Sequence, residues 1–185
     1  MKPKTNESKN QIAPDQFIPA VPRARMNGKP VLSVPAKSVL NIDSGFKHKL
    51  LCDGPTFSAG SACAYSCAFC YVPDLMRKSP HAAGLTAPLH EVVIRRVGAV
   101  AALRKQLTFA DGRPRFTDPH DTRVCYASPL VDVAANLELA DETVELCKVI
   151  LKLTHWQIRM LSKSTLLPRI ARTLSMPSLQ RRLIP

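Results

Sequence analysis

Short apolar stretches alternate with longer segments of helical spacing from residue 56 onward, and this alternation constrains the fold more than any other feature. Extended segments are predicted at 56–61, 123–127 and 157–161. Helices are predicted at 88–107, 140–154 and 168–174. A strand and a helix that follow each other three times favour a parallel sheet with right-handed crossovers. The sequence therefore predicts an α/β protein.

Each predicted strand is followed by a loop that carries polar or reactive side chains. The first loop contains "ACAYSCAFCY" at 62–71, the second "SPLVD" at 128–132 and the third "SKST" at 162–165. Ligands of parallel sheets bind at the carboxyl ends of the strands. We therefore expect the three loops to meet on one rim and to form the functional site there.

The chain has 185 residues, which suits one domain with a substantial core. Residues 1–36 are rich in Pro, Lys, Arg, Asn and Ser, and they are predicted to be a disordered basic arm ahead of a folded part at 37–185. The formal charge of +12 favours an anionic partner such as nucleic acid. A basic surface also serves solubility, so the charge leaves both interpretations open.

We expect a cytoplasmic protein that does not enter a membrane. The first ten residues are polar and lack the apolar stretch of a signal peptide. The longest apolar run, 97–103, is too short to cross a bilayer. Six cysteines in a reducing compartment are thiols or metal ligands rather than disulfides.

Cys63, Cys67 and Cys70 admit several interpretations. Their spacing is i, i+4 and i+7, so they could be small buried residues on one face of a helix. Cys67 and Cys70 could also form a redox pair, although no thioredoxin-like helix pattern follows them.

Metal binding gives two further interpretations of the same three cysteines. A zinc ion would need a fourth ligand, and Cys52, His81 or His90 could supply it only at irregular spacing. Alternatively, three thiolates on a tight loop can hold three irons of a [4Fe-4S] cluster and leave the fourth iron open.

The CxxxCxxC spacing, with Phe69 directly before the third cysteine, resembles the signature of the radical S-adenosylmethionine (SAM) superfamily. The resemblance implies a [4Fe-4S] cluster on Cys63, Cys67 and Cys70, with SAM chelating the open iron. It also implies reductive cleavage of SAM to a 5'-deoxyadenosyl radical and an electron donor such as flavodoxin or ferredoxin. The implied fold is a partial (β/α) barrel, of which the chain accounts for about three βα units of the usual six.

Two further stretches, "PAKSVLNIDSGF" at 35–46 and "CYVP" at 70–73, are similar to the spore photoproduct lyase-like (DNA repair photolyase-like) branch. Asp132 and Glu138 keep the interval of that branch's acidic pair, and 162–164 matches its TKS-like turn. The resemblance implies that Asp132 or Ser128 contacts the SAM amino group and that Lys163 reaches a carboxylate or phosphate. Nucleic acid is the substrate it implies. Helix capping or solvated surface would explain Asp132 and Glu138 equally well, and Lys163 could be an exposed lysine of a turn.

The sequence also departs from the branch. The Tyr, Gln and Pro that the branch has between Asp132 and Glu138 are absent, and the tail "LSMPSLQRRLIP" offers no fourth strand. An open sheet edge is therefore predicted, covered by self-association or by a partner chain. The alternative function is a truncated, non-catalytic metal- or nucleic-acid-binding remnant. Cys125 could donate hydrogen inside a barrel, but a buried core position is the prediction.

Overall fold

The computed structural model describes residues 25–26, 28–63, 65–76, 91–175 and 183–184. The strands in chain order are β1 (Arg25–Met26), β2 (Lys29–Pro35), β3 (Leu40–Asn41), β4 (Thr56–Phe57), β5 (Gly60–Ser61), β6 (Val93–Val97), β7 (Val124–Ala127), β8 (Gln157–Arg159) and β9 (Leu183–Ile184). The helices are α1 (Val72–Met76), α2 (Ala99–Leu107), α3 (Leu137–Leu153) and α4 (Leu167–Leu174), and a 3₁₀ turn covers Gly45–Lys49.

One sheet has the order β3-β4-β7-β8-β9, and β4, β7, β8 and β9 run parallel within it. Phe57 lies opposite Ala127, and Cys125 lies opposite Ile158. The parallel order of the three predicted strands is therefore confirmed for β4, β7 and β8.

The single extended segment predicted at 56–61 is wrong, because Gly60–Ser61 pairs antiparallel with β6 in the other sheet. The prediction that the tail offers no further strand is wrong, because Leu183–Ile184 pairs with β8. A two-residue strand is too short to show a period in the sequence.

A second sheet has the order β1-β2-β6-β5, in which β2 runs parallel to β6. Because β2 is Lys29–Pro35, the predicted disordered arm at 1–36 is wrong for these residues. Their prolines and polar neighbours resemble a linker, but Val31 pairs with Val93 of β6, more than sixty positions away. Residues 1–24 and 27 lie outside the described residues.

The predicted helix at 88–107 is two elements. Val93–Val97 is strand β6 and Ala99–Leu107 is helix α2, with Gly98 at a φ of +78° between them. Val92, Val93 and Ile94 fit a helical period, but branched side chains also favour strands, and all three are buried. The first three residues of the prediction lie outside the described residues.

The helices α3 and α4 follow the prediction closely. α3 begins three residues earlier than expected, because the Asn136 side chain caps it by accepting the Leu139 N–H at 2.8 Å. α4 carries its proline in the first turn, as predicted. No helix in the described part of the chain is both long and apolar enough to cross a membrane.

The main hydrophobic core lies between the parallel sheet and the helices α2, α3 and α4. Its largest fully buried side chains include Phe57, Leu103, Leu107, Leu139, Leu146, Ile150, Trp156, Ile158 and Ile170. The described residues thus form a mixed α/β structure with two mixed sheets and four α-helices, and no closed barrel.

Trp156 provides a test of the packing beside β8. Its indole Nε1–H donates to Asp121 Oδ2 at 2.9 Å, and the same carboxylate accepts two 2.7 Å hydrogen bonds from Arg123. We expect Asp121→Ala to lower the free energy of unfolding at pH 7 by about 1–3 kcal/mol, because the buried indole N–H loses its acceptor. Urea denaturation measures this change, and an unchanged midpoint would contradict the assignment.

At low pH the natural protein should lose the stabilisation that the Asp121 carboxylate provides. The hydrogen bond from Arg123 holds the pKa of Asp121 below its ordinary value. The unfolded chain therefore takes up this proton more readily than the folded one, so the stabilisation is present above about pH 4 and is lost as the pH falls further. Asp121→Asn keeps an acceptor for the indole and should lose less stability than Asp121→Ala.

Candidate functional site

The cysteine-rich segment is an irregular loop between β5 and α1. The N–H of Cys70 donates to the carbonyl of Cys67 at 3.0 Å, and Ala62 and Ser66 adopt left-handed backbone conformations with φ of 56° and 49°. These residues do not form a helix, so the interpretation of the three cysteines as one helical face is wrong. Two residues with left-handed backbone interrupt any regular path of the loop.

The three cysteines line one cavity. Its volume is about 300 Å³, and the other lining residues are Ala62, Ser66, Ala68, Val72 and Pro73. Cys63, Cys67 and Cys70 are half-buried, and all three are free thiols. The loop therefore presents three thiols to one open space surrounded by small side chains.

The Cys63 thiol is partly buried, and burial raises its pKa above the ordinary value. The backbone near Tyr65 and Asp132 offsets this rise only in part.

Asp132 joins the second and third loops. Its Oδ1 accepts the N–H of Ala134 at 2.9 Å and the hydroxyl of Ser162 at 2.6 Å, and its Oδ2 accepts the N–H of Lys163 at 2.8 Å. The first and second loops are joined by Tyr71, whose hydroxyl donates to the Pro129 carbonyl at 2.7 Å. The three loops therefore meet, as the order of the strands predicts.

Lys163 lies against the cysteine loop. Its Nζ is 4.4 Å from the centroid of the Phe69 ring, a distance typical of a cation–π contact. The Phe69 side chain is 78% exposed, which is unusual for phenylalanine. A charged group and an accessible aromatic ring thus stand together beside the cysteines.

Ser128 follows β7 directly and has a left-handed φ of 52°. Its hydroxyl is buried and, among the described residues, has no hydrogen-bond partner, and the same holds for Ser58, which follows β4. The two serines come directly after the paired residues Phe57 and Ala127. Buried hydroxyls without a partner are rare, so these two are candidates for contact with a ligand or an ordered water.

Other candidates lie away from this rim. Glu138 is in the first turn of α3 and forms a 3.0 Å ion pair with Arg95, so the structure does not bring it to the cysteines. Cys125 and Cys147 are fully buried in the main core, and burial raises the pKa of both thiols. The core position predicted for Cys125 is confirmed. His81 and His90 lie outside the described residues.

Within the described ranges, no group of three or more His, Cys, Asp or Glu side chains is arranged to hold a metal ion. A cluster makes a different demand, because each thiolate binds a different iron and the sulfurs stand farther apart than ligands of one ion. The residues fit an iron–sulfur group in one respect: three cysteines line one open cavity.

None of the known protein-family models matches this sequence, and neither a curated protein nor a solved structure matches it.

Sequence reasoning missed Lys29, which belongs to β2. Its Nζ donates to the Cys63 carbonyl at 3.4 Å and to the Ser66 hydroxyl. No local signal could have found this contact, because Lys29 and Cys63 are 34 positions apart and meet only through the pairing of β2 with β6.

Proposed function

We propose that this chain is a radical SAM protein of the spore photoproduct lyase-like branch, with Cys63, Cys67 and Cys70 binding a [4Fe-4S] cluster. One observation carries the proposal: three cysteines with the CxxxCxxC spacing line a single open cavity, and their loop meets the loop after β7, which in turn meets the loop after β8. When bound and reduced, the cluster supplies the electron that cleaves SAM to a 5'-deoxyadenosyl radical, which abstracts hydrogen from the substrate.

The cavity supports a cluster with one iron left to SAM. No cysteine other than these three lines it among the described residues. Burial raises the pKa of the Cys63 thiol, so a bound metal would have to stabilise the thiolate form there. The small side chains of Ala62 and Ala68 leave room beside the sulfurs.

Ser128, Asp132 and Lys163 are the residues that we assign to SAM. The unpartnered Ser128 hydroxyl is available to the polar end of the molecule. The Asp132 carboxylate has roughly four acceptor positions, of which three are taken, so one is left for an amino group. The Lys163 ammonium complements a carboxylate, and the exposed ring of Phe69 beside it suits stacking with a planar base.

The charge around the cavity favours anionic partners. Lys29 and Lys163 contact the cysteine loop, and within the described ranges the side-chain ammonium of neither pairs with a carboxylate. An acidic electron donor and a nucleic-acid substrate both fit this charge. The partial barrel and the covering of its edge by another chain belong to the same proposal, as does a cytoplasmic setting in which the cysteines stay reduced.

Anaerobic reconstitution tests the proposal. We expect about four irons and four sulfides per chain, and a reduced-cluster EPR signal that changes when SAM is added. Bound zinc without sulfide would favour the alternative function, a non-catalytic metal-binding remnant. Absence of a cluster from protein with all three thiols intact would contradict the proposal outright.

A further inference from the structure

Lys29 reaches the cysteine loop from a strand that lies in the other sheet. Its Nζ donates to the Cys63 carbonyl at 3.4 Å and to the hydroxyl of Ser66. Both acceptors belong to the loop that lines the cavity. The side chain therefore connects the first cysteine to the turn that precedes the second.

Ser66 is one of two residues of this loop, with Ala62, that the described backbone holds in a left-handed conformation. Its φ of 49° is left-handed, a conformation that costs an L-residue other than glycine about 1–2 kcal/mol. Cys67 follows directly, so the direction of this turn sets where the second thiol points relative to Cys63. A hydrogen bond that engages the Ser66 side chain offsets part of that cost.

The strand that carries Lys29 also packs against the loop. Leu32 and Val34 of β2 contact a small core cluster that contains Ala62 and Val72, and Cys70 packs against the same cluster. The pairing of β2 with β6 fixes the register of the strand over five residue pairs. The position of Lys29 is therefore set independently of the hydrogen bonds that it makes.

We propose that Lys29 is a positioning residue of the cysteine site: it holds the left-handed turn at Ser66 and thereby sets Cys63 and Cys67 for cluster binding. The second half of this statement rests on the proposed function, whereas the first concerns only the loop. Strand β2 becomes part of the functional site.

The experiment compares Lys29→Met with the natural protein. Methionine keeps the unbranched apolar stem and removes the donor. In iron-free protein we expect amide hydrogen exchange at residues 62–71 to become roughly tenfold faster, which is the effect of losing one hydrogen bond from a charged group. Lys37→Met is the matched control, because Lys37 is an exposed lysine just beyond the end of the same strand. Exchange within α3 serves as the internal reference for folding.

Two further variants separate positioning from general destabilisation. Lys29→Arg keeps a cationic donor and should keep slow exchange in the loop. The double variant Lys29→Met/Ser66→Gly should recover cluster loading that Lys29→Met alone loses, because glycine adopts the left-handed turn without cost. A residue that only stabilised the sheet would not be rescued by a glycine in the loop.

The outcomes distinguish this inference from the proposed function. Loop exchange that is the same in Lys29→Met and in Lys37→Met would overturn the role of Lys29. Failure of the double variant to load more iron than Lys29→Met would overturn the role of the turn. If the natural protein binds no cluster, the proposed function fails, and the exchange measurements still decide whether Lys29 holds the loop.

Discussion

Cys67→Ala is expected to lower the iron and sulfide retained after anaerobic reconstitution by roughly tenfold or more, and to remove the SAM-dependent EPR signal. Groups that only orient a metal ligand contribute roughly 10–100-fold to affinity, so loss of a ligand should cost at least as much. Cys67 is the cleanest of the three to replace. Its known contact within the loop uses the backbone carbonyl, which accepts the Cys70 N–H at 3.0 Å and survives the substitution.

Cys147→Ala provides the control. Cys147 is fully buried in α3, away from the cavity lining, so its replacement removes a cysteine and some core packing without touching the site. We expect a loss of stability of about 1 kcal/mol and undiminished iron. Equal iron in Cys67→Ala and in the natural protein would mean that the thiols of this loop do not hold the metal.

The sequence predicted well those parts of the fold that local pattern controls. α3 has a long amphipathic pattern and a capping asparagine, and both can be recognised from the sequence of the helix itself. Strand β6 could not be predicted in this way, because Val92, Val93 and Ile94 are consecutive apolar residues that suit a helix or a strand. The pairing of β6 with β2 and β5 decides between them, and that pairing joins residues far apart in sequence.

The candidate site, like the fold, could be predicted from the sequence only in part. The cysteine spacing and the three loops could be predicted because each follows a strand end. The contact of Lys29 with Ser66 and the buried hydroxyl of Ser58 could not, because they depend on side chains brought together by the other sheet or by the pairing of β4 with β7. The sequence pattern thus predicted which loops form the candidate site, and tertiary packing determines which other side chains join them.

Asp132→Ala is expected to lower the free energy of unfolding by about 3 kcal/mol, measured by urea denaturation. The substitution removes the acceptor of the Ala134 N–H, the Ser162 hydroxyl and the Lys163 N–H. Each hydrogen bond to a charged group contributes about 1.5–3 kcal/mol, and partial exposure of the rim reduces the total. Glu145→Ala is the control. Within the part of the chain that the structure describes, this exposed carboxylate pairs with Lys148 alone, at i,i+3, so Glu145→Ala should lower the free energy of unfolding by no more than about 0.5 kcal/mol.

The same variant distinguishes the two roles of Asp132. If the carboxylate joins the loops, Asp132→Ala should also speed hydrogen exchange at residues 162–166 and move Lys163 from Phe69, whether or not SAM is present. If it served only as a contact for the SAM amino group, stability and exchange would stay as in Glu145→Ala and only SAM affinity would fall. Three of its acceptor positions are occupied within the protein, so we expect the first result, with weaker SAM binding as a consequence of a displaced rim.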